Sequence, residues 1–418
     1  SKGTGRVTLN KTTLFIPLVL IMNAQIFSAT ASNPLGVNGA QEAFYVFLGL
    51  WAFKSVVQKT VRCSKVPSID LFIFVTPLAL IAYGATAAFI TFRQPIAFGI
   101  LEERRILSVY VYFPLVDMLR SGRISAEKTE KAILTVMAIC AVLMVAVSFK
   151  LIPAWNEVRS SNVALRSERL SIGSSFLAAF LPLLLVRLRG TEAIKRITIL
   201  ILLAFALVFI TQSRQLLIAV ALMITLTLRP HVLLALGAAI TITILLFLPF
   251  LSEQLQFYTE LFSQLFSSEY LDASWRMFSI EEVIQSLRAG EIFGHGSLSP
   301  MWQEGFQRVV GESFFLADIG IIGTSYRYGL FGIFWYLFWM TLQLTLIMRM
   351  PAGSQRRSYF AVLLFLVILL PVAAPIEYRG FVTGVLFAMT AFLSSQHKQN
   401  KISGARRTVS GQMLSETA

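Results

Sequence analysis

Arginine side chains beside or inside apolar segments are the feature of this sequence best suited to chemistry. Arg214 ends a short polar turn between two apolar segments, and no acidic residue is near it in the sequence. Arg327 lies inside the apolar run Ile319–Ile347, where an ionisable residue is by default a candidate for function. Because the planar guanidinium binds two phosphate oxygens at once, both positions predict recognition of phosphate or pyrophosphate. The alternatives for Arg327 are snorkelling to the membrane surface and an internal ion pair with Asp318 or Glu377.

Three residues are candidates for proton transfer. Asp318 is the last acidic residue before the apolar run, Glu312 shortly precedes it, and His295 stands in the turn Phe293–Gly296. A carboxylate at the edge of an apolar segment is partly buried, which moves its pKa towards the working pH of a general base. The alternatives are a helix cap or an ion pair for Asp318 and an ordinary loop position for His295.

The sequence contains no pattern for a metal ion or an organic cofactor. Its two cysteines, Cys63 and Cys140, sit in or beside apolar segments and provide no disulfide framework. No cluster of His, Cys and Asp has the spacing of metal ligands, and no glycine-rich phosphate loop of the Walker type is present. We therefore expect chemistry without a metal or a cofactor.

Membrane-spanning helices are the elements that must position these residues. Only 14% of the residues are charged and 56% are hydrophobic, whereas soluble domains are about 25% charged. The net charge of +14 comes from basic residues between the apolar segments, which is typical of topology signals rather than of nucleic-acid binding. Since apolar runs continue along the whole chain, we do not interpret the first one as a cleaved signal peptide.

The apolar runs predict an all-α polytopic membrane protein with about twelve transmembrane helices, because a bilayer core needs about 20 apolar residues per crossing. The predicted spans are 13–30, 43–58, 71–90, 105–119, 131–149, 171–186, 197–211, 215–229, 231–251, 319–347, 358–373 and 381–395.

Lysine and arginine positions predict that both termini are cytoplasmic. With this orientation 23 basic residues lie inside and 13 outside, and ten of the eleven lysines lie inside. The outer side therefore selects arginine, which again indicates phosphate recognition; the alternative is pairing with outer acids such as Glu102 and Glu103. The outer arginines are Arg93, Arg104, Arg105, Arg159, Arg166, Arg169, Arg214, Arg276, Arg288, Arg308, Arg327 and Arg379.

One large hydrophilic segment, 252–318, is predicted to lie outside. Its apolar residues follow helical spacing, so we expect amphipathic helices on the membrane surface that cap a cavity. The predicted domain organisation is nine spans in 1–251, the outer loop 252–318, three spans in 319–395 and a cytoplasmic tail, 396–418.

The order of these elements resembles the O-antigen polymerase and O-antigen ligase superfamily, polytopic glycosyltransferases of the GT-C type. The resemblance covers the whole chain in topology but depends on short motifs. These are Thr211–Arg214 (TQSR), Ser274–Arg276 (SWR), Phe293–Gly296 (FGHG), Asp318–Gly320 (DIG), Tyr328–Gly332 (YGLFG) and Arg169 before the sixth span.

The resemblance implies an inner-membrane enzyme whose active site faces the periplasm. It joins a glycan on undecaprenyl pyrophosphate to a lipid-linked repeat unit, and an acceptor hydroxyl displaces undecaprenyl pyrophosphate with inversion. Arg214 and Arg276 match the arginines that hold the donor pyrophosphate, and by extension Arg169, Arg288 and Arg379 line the same cavity. Asp318 is the candidate base by position. A chain-length regulator and a flippase are the implied protein partners.

Two other functions remain as alternatives at this stage. Ligases of the superfamily typically carry His-Asn where this chain has Ala317–Asp318, which favours the polymerase over transfer to a lipid A core. A transporter for lipid-linked oligosaccharide is the second alternative, although transporters commonly contain an internal repeat and none is evident here.

Overall fold

The computed structural model describes residues 11–24, 26, 39–61, 67–152, 172–186, 203, 206, 214–227, 271–299, 301–302, 316–371, 374, 376–377 and 379–415. This part of the chain is helical and contains no strand. The α-helices are α1 (Lys11–Asn23), α2 (Gly39–Val61), α3 (Ser68–Phe92), α4 (Ile96–Glu103), α5 (Tyr112–Arg120), α6 (Ala126–Ser148), α7 (Ser174–Val186), α8 (Arg214–Thr227), α9 (Leu271–Arg288), α10 (Gly320–Met348), α11 (Ser354–Leu369) and α12 (Gly380–Ser415). Short 3-10 helices, Arg104–Val111 and Leu316–Ile319, lead into α5 and α10.

Three of the described helices, α3, α6 and α10, are long and apolar enough to cross a membrane. Their lipid-facing character is visible in large apolar side chains that no neighbour covers, such as Ile90 at 66% exposure and Phe334 at 68%. A soluble protein rarely leaves such apolar patches in contact with water. The membrane character predicted from composition is therefore supported, whereas the number of crossings and the orientation remain predictions.

Local sequence explains where these helices begin and end. The Ser125 side chain accepts a hydrogen bond from the Lys128 amide at 3.3 Å and caps the first turn of α6. Arg93 adopts left-handed backbone angles at the end of α3 and donates its amide to the Phe89 carbonyl, and Pro95 then prevents the helix from continuing.

The predicted single span 105–119 is not one α-helix. The chain instead forms α4, the 3-10 helix Arg104–Val111 and then α5. Pro114 stands in the first turn of α5, where a missing amide hydrogen is tolerated, and so it marks the return to α-helical geometry.

Aromatic contacts in the core bind the long helices together. The Trp339 ring on α10 contacts Phe72 on α3 at 5.2 Å between ring centroids. The same ring meets Phe387 on α12 edge-on at 5.0 Å. These three helices therefore share one packed aromatic centre.

Part of the predicted surface loop 252–318 lies inside the bundle. Helix α9 packs on α10 through Val283, which is fully buried beside Tyr326. The segment after α9 then enters the space between α3 and α10, where Ser297 and Ser299 are at most 1% exposed. This placement follows from backbone hydrogen bonds that no hydropathy pattern encodes.

Candidate functional site

Helix α10 is broken at Gly329, and the segment 292–297 replaces the hydrogen bonds that the break removes. The amides of His295 and Gly296 donate to the carbonyls of Tyr326 and Arg327 at 2.7 and 2.9 Å. The Leu330 amide donates to the Ile292 carbonyl at 2.9 Å. Non-helical backbone in a membrane protein is tolerated where protein groups satisfy it in this way. Two amides of the predicted turn Phe293–Gly296, those of His295 and Gly296, thus donate hydrogen bonds to α10.

Two of the glycines make this close approach sterically feasible. Gly329 has φ +65°, and a Cβ at this position would lie 1.9 Å from the Ile292 carbonyl oxygen. Gly296 has φ +85°, and its Cβ would lie 2.1 Å from the Ala88 amide nitrogen on α3. Only glycine adopts these backbone angles without cost and leaves room for another backbone.

Gln94, between α3 and α4, holds the far end of the segment. Its side-chain amide donates to the Ser297 carbonyl at 3.0 Å, and its side-chain oxygen accepts from the Ser299 amide at 2.7 Å. The Ser297 hydroxyl donates to the Glu103 carboxylate at the end of α4. The segment is therefore fixed to α3 and α4 on one side and to α10 on the other.

A buried ion cluster lies next to the break in α10. Arg327 Nη1 is 3.2 Å from Glu103 Oε1 and 3.3 Å from Glu377 Oε2. The three side chains are 6%, 1% and 3% exposed, respectively. The Thr324 hydroxyl lies 3.4 Å from Glu377 Oε1. One arginine thus joins α4, α10 and the connection before α12.

The cluster contains two carboxylates for one guanidinium, so the two carboxylates compete for a single cation. Burial raises the pKa of Glu377 to about 8; Arg327 opposes this rise and Glu103 adds to it. The raised pKa favours the protonated form of Glu377, and Glu103 is the other carboxylate that contacts Arg327. These contacts favour the ion-pair alternative for Arg327 over direct binding of a ligand.

Arg379, two residues beyond Glu377, has a different environment. Its Nη1 donates to the Ser175 hydroxyl in the first turn of α7, and its buried Nε has no hydrogen-bond partner. Within the described part of the chain no carboxylate forms an ion pair with it. Burial lowers the pKa of Arg379 to about 10, which still leaves it charged. An unbalanced guanidinium at the N-terminus of a helix is an arrangement that favours an anion.

His295, Glu291 and Ser286 form a second polar cluster, which lies between the end of α9 and the segment 292–297. His295 Nε2 lies 2.9 Å from Glu291 Oε2 and 2.9 Å from Ser286 Oγ. The Ser286 hydroxyl donates to Glu291 at 2.6 Å, and this bond lowers the pKa of Glu291. Because serine and glutamate approach the same ring nitrogen, the group lacks the relay geometry of a catalytic triad.

The remaining predicted residues are only partly described. Arg214 is the first residue of α8, Arg276 lies within α9, and Asp318 lies in the 3-10 turn before α10. Their side chains, and Arg169 and Glu312 entirely, fall outside the described residues. Arg288 ends α9 and is exposed. The structure therefore places the backbone of His295 against that of Tyr326, next to Arg327. Arg379 lies two residues after Glu377, which contacts Arg327, and Arg288 lies at the surface.

Sequence reasoning did not select Ser297 or Gln94 for the site, and it named Glu103 only as one of the outer acids that could pair with outer arginines. Glu103 is fully buried although it adjoins two arginines in the sequence. The sequence analysis suggested Asp318 or Glu377 as the partner of Arg327, and of these two the described side chains show Glu377 in contact with it. In the described residues no three His, Cys, Asp or Glu side chains meet in a group able to hold a metal ion. No protein-family model and no curated protein matches the sequence.

Proposed function

We propose that this protein is a glycosyltransferase of the inner membrane that joins undecaprenyl-pyrophosphate-linked oligosaccharide units into a surface polysaccharide. The observation that carries the proposal is Arg379, a charged side chain without a carboxylate partner among the described residues, set against Ser175 at the start of α7. Such a group fits a phosphate-bearing ligand. The motif resemblance names undecaprenyl pyrophosphate as that ligand.

The proposed reaction makes modest demands on the protein. The oxygen of an acceptor hydroxyl attacks the anomeric carbon, the bond from that carbon to the pyrophosphate breaks, and a base takes the hydroxyl proton. Charge develops on the leaving pyrophosphate, where fixed cations stabilise the transition state. Arg379 is the cation proposed from the structure, whereas Arg169, Arg214, Arg276 and Arg288 are proposed from the sequence.

Proton transfer is assigned to Asp318, with Glu312 and His295 as the other candidates. The backbone of Asp318 lies in the turn that leads into α10, eleven residues before the break at Gly329. His295 is engaged by Glu291 and Ser286, so we assign it a positioning role. Arg327 likewise positions α4 against α10 through its contact with Glu103.

The topology belongs to the same proposal. We propose twelve crossings, cytoplasmic termini and a periplasmic site. In support, Asn23 at the end of α1 donates to the Phe381 carbonyl at the start of α12 at 2.8 Å. Arg379 likewise reaches the start of α7. The end of the first predicted span therefore meets the starts of the sixth and the twelfth at one end of the bundle. In the proposed topology these three helix ends lie on the same side of the membrane.

A binding assay tests the central claim without knowledge of the sugars. Purified protein in nanodiscs is titrated with undecaprenyl pyrophosphate and with undecaprenyl monophosphate. We expect tighter binding of the pyrophosphate and a loss of this preference in Arg379→Ala. Arg379→Lys should recover little, because the ammonium lacks the planar fork. The matched control is Arg105→Ala, an exposed arginine near the same end of the bundle.

An extension assay then tests the reaction. Lipid-linked repeat units are incubated with each variant, and the products are separated on a gel. Loss of one donor to the developing charge typically lowers the rate about 100- to 1000-fold, so Arg379→Ala should give no ladder while Arg105→Ala gives a normal one. A normal ladder in Arg379→Ala would reject the assignment of the donor site.

The break in α10 is an observation that favours one alternative function, which is transport of the lipid-linked oligosaccharide. Discontinuous helices are common in transporters, where the freed backbone groups bind substrate or ions. Here the carbonyls of Tyr326 and Arg327 already accept hydrogen bonds from His295 and Gly296, which favours a fixed site over an ion pathway. Movement of lipid-linked oligosaccharide across proteoliposomes without any chain extension would favour the transporter.

A further inference from the structure

A cavity of 1040 Å³ lies at the end of the bundle opposite to Arg379. Its wall consists of the N-terminus of α3, the C-termini of α5 and α10 and the middle of α12. Helices α3 and α10 are two of the described helices able to cross a membrane. Since the cavity lies where α3 begins and α10 ends, it lies at the level where the membrane core meets water.

The rim of this cavity is positively charged. Arg120, Arg349, His397 and Lys398 line it, and no aspartate or glutamate is among its lining residues. Arg120 is balanced, because its guanidinium donates to the buried Asp70 carboxylate at 2.5 and 3.1 Å.

Arg349 and Lys398 are in a different situation from Arg120. Both are exposed, and neither forms an ion pair with an acid in the part of the chain that the structure describes. The rim thus offers two unbalanced cations to an anion.

The wall below the rim is apolar. Ile69, Leu119, Leu346 and Phe392 line it, and of these four side chains Ile69 is the most exposed to the cavity. The hydroxyls of Ser394 and Ser395 donate to carbonyls of their own helix, so they do not make this wall polar. A charged rim above an apolar wall fits an amphipathic anion better than a water-soluble one.

We propose that this cavity binds an anionic phospholipid. The phosphate of the headgroup lies between Arg349 and Lys398, and the acyl chains lie along Ile69, Leu346 and Phe392. The proposal uses neither Arg379 nor the break in α10, so it stands or fails separately from the proposed glycosyltransferase. It implies that the protein retains specific lipid during purification.

Native mass spectrometry of the purified full chain measures this binding directly. The probes are phosphatidylglycerol, phosphatidylethanolamine and soluble glycerol phosphate, each titrated against the same detergent-solubilised protein. We expect phosphatidylglycerol to bind at least about tenfold more tightly than phosphatidylethanolamine. Since each cation near a membrane surface contributes about fivefold, Arg349→Ala/Lys398→Ala should weaken phosphatidylglycerol binding about 30-fold.

The matched control is Arg123→Ala/Arg357→Ala, which removes the same charge from the same end of the bundle. Both residues are exposed, and neither lines the cavity. The control should bind phosphatidylglycerol within about twofold of the parent. Because all four positions are exposed, folding should be unchanged, and circular dichroism checks this.

Three results would overturn the proposal. Equal loss of binding in both double variants would mean that net charge, not this cavity, attracts the lipid. Equal binding of the two phospholipids would show that charge is not recognised. Competition by glycerol phosphate at the concentration of the lipid would indicate a site for a soluble phosphate compound.

Discussion

Replacing Arg327 with methionine tests whether the buried ion cluster holds the site together. The substitution removes the guanidinium that contacts Glu103 and Glu377 at 3.2 and 3.3 Å. All three side chains are at most 6% exposed, so solvent cannot replace the lost contact. Removing one partner of such a pair costs about 3–5 kcal/mol of stability. Methionine keeps much of the side-chain length, so the loss reports charge rather than an empty volume.

The pH dependence of this loss follows from the carboxylates. Without Arg327 the cation that favours the ionised form of Glu377 is gone, so this carboxyl group holds its proton to a higher pH in the folded state. A folded-state pKa above the unfolded value gives stability that is present at low pH and lost as the pH rises. We therefore expect Arg327→Met to unfold at nearly the parental temperature at pH 5 and far below it at pH 8.5.

A substitution of Glu377 provides a control for the direction in which stability changes with pH. The pKa of Glu377 is raised from 4.5 to about 8, so the parent should itself lose stability as the pH rises through this interval. Glu377→Gln fixes the neutral hydrogen-bonding form. This variant should match the parent at pH 5 and show a flatter decline towards pH 8.5.

Thermal unfolding in detergent measures these differences. A thiol-reactive dye reports exposure of Cys140, which is fully buried in the fold, in a background where Cys63 is replaced by serine. The triple variant Arg327→Met/Glu103→Gln/Glu377→Gln should recover most of the lost stability, because neutral replacement of a buried ion cluster is often tolerated. Parental unfolding temperatures for Arg327→Met at every pH would refute the reasoning. Failure of the triple variant to recover would assign the loss to packing.

Two further substitutions test the backbone break and the opposite end of the bundle. Gly329→Ala should cost about 3 kcal/mol or more, since φ +65° disfavours a side chain and its Cβ would meet a carbonyl at 1.9 Å; Gly49→Ala, in open space on α2, should be neutral or stabilise slightly. Asp70→Asn should cost about 3–5 kcal/mol, because this fully buried carboxylate pairs with two cations. Glu127→Gln removes an exposed pair within α6 and should change stability by less than about 0.5 kcal/mol. The same thermal assay measures all four variants, and equal losses within either pair would contradict the placement of these residues.

The sequence alone determined the helical membrane character of this protein. Apolar segments of 15–29 residues, with basic residues between them, are local properties, and they predicted where most of the described helices lie. They also identified Arg327 as an ionisable residue inside an apolar run, with Glu377 as one of its two suggested partners. A single ionised group in an apolar run needs a partner or water, so the sequence alone identified Arg327 as a candidate for function or for a buried ion pair.

The tertiary structure decided which groups meet. Glu103 and Arg327 are separated by 224 residues, and Ser297 and Glu103 by 194, so no spacing rule connects them. The sequence predicted a turn at Phe293–Gly296, whereas packing against α10 decides that the amides of His295 and Gly296 donate to the broken turn of that helix. Hydropathy periodicity records which residues avoid water. The identity of the neighbour that replaces water depends on how helices pack, and only the assembled bundle fixes it.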